Sequence, residues 1–171
     1  MSPALLSHRI EFESAEQAME AFYQKGWTDG LPVVPPTEEK VLAFLGAAGL
    51  APDEILGAIP ERNRVFTAEK VAINAVMAGC LPEYFPVVVA AVRGISRPEF
   101  GLHGVCASTA GSGILMVVNG PVAGACGMNN GQNLMGPGNR ANATIGRALR
   151  LVLYNLAGRE FDRSTLGHPG K

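Results

Sequence analysis

Gly131–Leu156 reads GQNLMGPGNRANATIGRALRLVLYNL, and its two halves obey different rules. From about Asn139 to Leu156, Ile145, Leu149, Val152, Leu153 and Leu156 recur at helical spacing, which predicts a long helix with one core-facing stripe. Ahead of it, Gly124 to Gly138 gathers five glycines and four amide side chains, a composition for irregular backbone. A helix start leaves backbone N–H groups unpaired and partly positive, a setting that suits an anion. Arg140, Asn142 and Thr144 add donors in the first turns, and an arginine can grip a carboxylate or phosphate with two bonds. Asn139 stands where an N-cap is expected. The pattern is neither a Walker A loop nor GxGxxG, since no Gly-Lys-Ser/Thr follows.

Working outward, Ile114 to Asn119 and Gly104 to Thr109 read as two strands. Ala110-Gly111-Ser112-Gly113 lies between them as a hairpin turn. Before them, a helix is expected from about Pro86 to Ile95, apolar nearly all round and therefore buried. Thr67 caps a helix with apolar positions Val71, Ala72, Ala75, Val76 and Ala78, ending near Gly79-Cys80. Glu54 to Ile59 reads as a short strand. Thr37 caps another helix, stopped near Gly49. Trp27 to Pro36 (WTDGLPVVPP) has three prolines and a turn signal, so it is irregular. Ser14 opens the first helix with Gln17 in a capping box, and Gly26 ends it. His8 to Phe12 reads as a short strand or an extended arm. The expectation is one α+β domain over residues 1–171, with several helices on a small sheet that includes a hairpin near 104–119.

Hydrophobic residues make up 47% of the chain and charged residues 17%, which is a globular balance. Net charge is −1 and no basic stripe is visible, which argues against nucleic acid as a partner. The apolar runs, such as Val87 to Val92, are too short for a membrane span. The start of the chain lacks a secretory pattern, and the three cysteines, Cys80, Cys106 and Cys126, show no CxxC spacing. A cytoplasmic protein with free thiols is expected. Few charges and many glycines suggest an oligomer.

Candidate reacting groups are sparse. Asp29 in the WTDGLP turn is a candidate general base, though such a residue also bonds its own turn. Cys80 follows a helix C-terminus, whose negative dipole disfavours a thiolate. His103 precedes a glycine at an expected strand start. The histidines His8, His103 and His168 are dispersed and form no zinc-ligand spacing, so no metal is assigned. Trp27 is a candidate pocket wall. No cofactor is indicated.

The segments GWTDGLPVVPPTEEKV, KVAINAVMAGCLPEYFPVVVAAV, GPGNRANATIGRALRL and DRSTLGHPGK together resemble a bacterial family of largely uncharacterised proteins. Its members are associated with the UGSC family of selenocysteine- or cysteine-containing proteins. The resemblance spans about Gly26 to Lys171 and implies that longer relatives continue past the GHPGK segment, so a second subunit is expected to supply what is missing. It also implies thiol or selenol redox chemistry on a partner. Its motifs add Asn74 and Glu83 to the candidate site, and carry over Trp27, Asp29, Cys80, Asn139, Arg140, Asn142 and Arg147. The leading expectation is a subunit of an enzyme acting on a small, anionic molecule bound at the Asn139 helix start, with polar residues near Asp29 and Asn74 completing the pocket. Reductive, lyase and hydrolytic chemistry all remain open. The rivals are a non-catalytic binding or scaffolding subunit, and a metal-dependent enzyme with ligands shared between chains.

Overall fold

The computed structural model describes residues 4–107 and 113–158, apart from the side chains of Cys106 and Ala107. Among the described residues there are seven α-helices and one two-stranded antiparallel hairpin, an α+β arrangement. The helices are α1 (Ala15–Gln24), α2 (Glu38–Ala48), α3 (Ala68–Ala78), α4 (Phe85–Ile95), α5 (Leu102–Ala107), α6 (Pro121–Ala125) and α7 (Arg140–Leu156). The strands are β1 (Ile55–Ile59) and β2 (Arg64–Thr67).

Four helices begin where a side-chain oxygen can take a backbone proton. Ser14 accepts from Gln17 N, Thr37 from Lys40 N, Thr67 from Lys70 N and Asn139 from Asn142 N. Each cap satisfies one of the donors that a helix start leaves orphaned, worth about 1 kcal/mol. The Gln17 side chain returns the favour one residue early, accepting from Glu13 N at 2.8 Å instead of from Ser14. At the other end, Gly79 stops α3 in the left-handed region at φ 88°, a conformation open to glycine without strain.

α3 is the centre of the molecule. Glu69, Asn74 and most of its alanines and valines are buried, and it packs most extensively against α7 and also against α2 and α4. Its small residues let those neighbours approach closely. The stripe expected on α7 is the one that packs, with Ile145, Leu149, Val152 and Leu153 all buried. α4 departs from expectation. Phe85, Val87, Val88, Val89, Val92 and Ile95 are buried, but Pro86, Ala90, Arg93 and Gly94 face solvent. The outward side is made of small residues and one arginine, and Arg93 pairs with Glu54 at 2.8 Å, so α4 needs cover on one side only.

The hairpin lies elsewhere in the chain than expected. β1 is the strand read at Glu54 to Ile59, and its partner is Arg64–Thr67, joined through the tight turn Pro60–Arg62 and Asn63 at φ 50°. Leu102–Ala107 is helical, and Gly113 to Asn119 forms neither helix nor strand and has no strand partner among the described residues. The remainder of the expected turn, 108–112, and the C-terminal segment with His168 lie outside the described residues. N-terminal residues 4–13 form an irregular arm, as one of the two readings of His8 to Phe12 had it. Glu69, 2% exposed, holds the arm by accepting Leu6 N and Ser7 N at 2.8 Å each.

Candidate functional site

The candidate residues are strung along α7. Its helical rise separates Arg140 from Arg147 by about 10 Å, and Arg147 from Asn155 by about 12 Å. They form three stations with different chemistry.

At the start of α7, the Gly/Asn-rich loop is braced by side chains instead of a backbone ladder. Asn142 Oδ1 accepts Asn129 N at 3.1 Å, and its Nδ2 donates to Asn129 O at 2.9 Å. One side-chain amide therefore pairs with a residue as another backbone residue would in a sheet. Asn139 caps the helix and donates to Gly127 O at 2.8 Å. Asn133, in the left-handed region, donates to Pro137 O, and Asn129 closes on Gly131 and Gln132. The side-chain amides of Asn129, Asn133, Asn139 and Asn142 are thus consumed in holding the loop. Thr144 is consumed too, its hydroxyl donating to Arg140 O at 2.8 Å.

Arg140 is the exception. Its Nε donates to Gly79 O at 3.0 Å, which ties the end of α3 to the start of α7. Its terminal nitrogens have no hydrogen-bond partner among the described residues, and the residue is exposed. Beside it Cys80 is buried, and its thiol donates to Thr144 O at 3.3 Å. Burial pushes that thiol up to about 11, and the Arg140 charge offsets only part of the effect. Cys80 is a neutral thiol at physiological pH, as its place after a helix C-terminus implies. Cys126 Sγ sits 3.7 Å from Glu83 O; burial and the Glu83 charge hold its thiol above the ordinary value.

The middle station is an ion pair. Arg147 Nε and Nη2 donate to the two carboxylate oxygens of Asp29 at 3.1 and 2.9 Å. Nη2 also donates to Leu31 O and Pro32 O. The Asp29 side chain is only 4% exposed. Burial pushes its carboxyl up, but the bidentate guanidinium outweighs this and leaves it below the usual range. A carboxylate so stabilised is a weak base, and this pair stitches the proline-rich WTDGLP turn to α7.

The third station joins Trp27, Asn74 and Asn155. Asn155 Nδ2 donates to Asn74 Oδ1 at 2.7 Å and to Trp27 O at 3.1 Å, while Asn74 donates to Lys70 O. Trp27 packs at a tilt against Phe22, and Lys25 Nζ lies over the Trp27 ring. Asn155 and Glu69 were not singled out from sequence. A polar residue eight positions after Arg147, hence on the same helix face, is the signal that marks Asn155.

Compared with protein-family models, curated proteins and solved structures, the chain matches none of them.

Two candidates stand apart from these stations. His103 is exposed on α5 and does not stand at a strand start. Glu83 is exposed in the short turn before α4, and it meets Cys126 through its carbonyl and its charge. Among the described residues no three His, Cys, Asp or Glu side chains converge as metal ligands would, and no helix is long and apolar enough to cross a membrane.

Proposed function

We propose that this chain is a subunit of an assembly that transforms a small anionic molecule, and that it orders the ligand while another chain carries the reacting group. Arg140 supports this reading. It is a guanidinium held by one nitrogen, with its terminal fork unengaged among the described residues, at the mouth of a loop–helix junction that side-chain bonds hold in place. A fork presented this way matches two oxygens of a carboxylate or phosphate. The start of α7 adds the positive end of a long helix. The reacting group is assigned elsewhere because Asp29 is committed to Arg147 and Cys80 is a neutral, buried thiol. A thiol- or selenol-bearing partner, as the resemblance to the UGSC-associated family implies, would supply what these two do not.

Isothermal titration of the native assembly with inorganic phosphate and with a small carboxylate such as succinate tests the proposal. Binding is expected, and Arg140→Ala should weaken it by at least about tenfold, the loss of a charge-assisted bond of about 1.5–3 kcal/mol. Binding that ignores Arg140 removes the anion site. The second reading, a scaffolding subunit without a ligand, is favoured by the commitment of Asp29, Asn74 and Asn142 to internal bonds. It predicts no binding of either anion to the intact assembly.

A further inference from the structure

From Gly113 to Asn119 the chain has the burial pattern of a strand and, among the described residues, no sheet to join. Ile114, Met116 and Val118 pack against the core, while Leu115 and Val117 between them are 79% and 77% exposed. A period of two is what an extended backbone imposes. Among the described residues, no backbone N–H or C=O of this segment is hydrogen-bonded. Such an edge is a template for another strand, and proteins ordinarily blunt one with a charge, a proline or a bulge. Here the opposite holds. Forty consecutive residues, Phe100 to Asn139, contain no Asp, Glu, Lys or Arg.

We infer that this edge is an interface, and that its occupant is the same segment of a second copy, paired antiparallel about a two-fold axis through Met116. The absence of charge favours a second copy over an unrelated chain. Interfaces between identical chains are the more apolar class, and this stretch carries no charge by which a foreign partner could be selected. A two-fold axis brings each side chain near its own kind, which repels wherever charge is present and is harmless here. The register fits as well. An axis at Met116 sets Ile114 opposite Val118 of the second copy, and Leu115 opposite its Val117. Aliphatic pairs of this kind stabilise antiparallel strands. The inner row stays on the two cores, and each exposed Leu115 and Val117 gains an apolar neighbour. So short a pairing buries less than the roughly 1,000 Å² of a stable interface. Val122 of α6, exposed and only three residues beyond Asn119, extends the contact. The inference does not rest on the anion site: Arg140 can bind or fail to bind whatever covers this edge.

Light scattering on the full chain over a micromolar concentration series tests it. The wild-type chain should run as a dimer or an even-numbered assembly. The double variant Leu115→Asp, Val117→Asp should dissociate at least about tenfold more readily with an unchanged far-ultraviolet circular dichroism spectrum, since both side chains are exposed. Oxidative cross-linking then reads the register. Met116→Cys should link to its own copy above the wild-type background. Leu115→Cys should not, because residues offset by two in the pairing lie beyond the roughly 7 Å limit of a disulfide. A monomeric wild-type chain, an assembly indifferent to the two aspartates, or equal cross-linking at 115 and 116 would each overturn the pairing. The second of these would leave the subunit reading standing.

Discussion

Arg140 and Arg147 lie two turns apart on the same helix, and they do opposite work. Arg147 spends its guanidinium on both oxygens of a buried aspartate and on two carbonyls of the WTDGLP turn. Arg140 spends one nitrogen on Gly79 O and presents the rest outward. The residue type is the same, and so is the motif GPGNRANATIGRALRL that carries both. What differs is what the fold brings to each. A proline-rich turn with a carboxylate folds over the third turn of α7, whereas among the described residues only Gly79, at the end of α3, reaches the guanidinium at its first turn. An arginine locked through two nitrogens onto a buried carboxylate holds the structure, and one tethered by a single nitrogen is available to something else.

The largest effect should come from Arg147→Ala. Removing one partner of a mostly buried ion pair leaves the other uncompensated, and about 3 kcal/mol of unfolding free energy should be lost in urea titration. The same pair sets an acid dependence. The folded carboxyl of Asp29 lies below its unfolded value near 4, so its contribution is complete above that value and is lost as pH falls through the lowered one. Arg147→Ala should flatten that acid limb. A variant as stable as wild type would erase the distinction between the two arginines.

Asn142→Ala should cost less, about 1–3 kcal/mol, because it leaves Asn129 N and O without the amide that pairs them. Its sharper readout is local. Amide exchange at Asn129 should accelerate while α3 stays protected, and uniform acceleration would mean that the loop is not a separate element.

Cys80→Ser is expected to cost on the order of 1 kcal/mol, since the site keeps a donor for Thr144 O. Iodoacetamide at pH 8 should alkylate Cys80 in the native chain at least about a hundredfold more slowly than in the urea-unfolded chain, read by peptide mass spectrometry. That factor follows from a thiol raised from 9.0 to about 11. With the folded value raised, the contribution is full below about pH 9 and is lost as pH climbs through 11. Rapid native alkylation would return Cys80 to the list of nucleophiles.

Arg140→Ala should have the smallest effect on folding, within about 0.5 kcal/mol in the same titration, as expected of an exposed side chain with one replaceable bond. A loss as large as that at Arg147 would make Arg140 a structural strut and remove the ground for an anion site.

Local chemistry is the part of this fold that was legible in advance. The caps at Ser14, Thr37, Thr67 and Asn139 each need only a side chain and the three residues after it, and each helix starts there. Two readings failed where tertiary contacts decide. Gly104 to Thr109 reads as a strand, but Gly104 to Ala107 belong to the helix Leu102–Ala107, and Arg64–Thr67 is too short and too exposed to announce itself as a strand. The candidate site divided the same way. Arg140, Asn142 and Arg147 were visible as donors at a helix start, but whether each donor is spent depends on Gly79, Asn129 and Asp29, and those partners lie far off in the chain or across an irregular loop. The link from Glu69 to Leu6 and Ser7 spans more than sixty residues and leaves no pattern in either segment.

That last contact has an evolutionary consequence. Glu69 reads two main-chain amides and no side chain, so it constrains the shape of the arm and not its spelling. Residues 6 and 7 can drift to almost any amino acid while the clasp persists. Proline is the one substitution that deletes a donor outright, and it would leave one oxygen of a buried carboxylate without its partner. Descendants of this chain should therefore vary freely at Leu6 and Ser7, keep proline out of both, and hold on to the glutamate at 69.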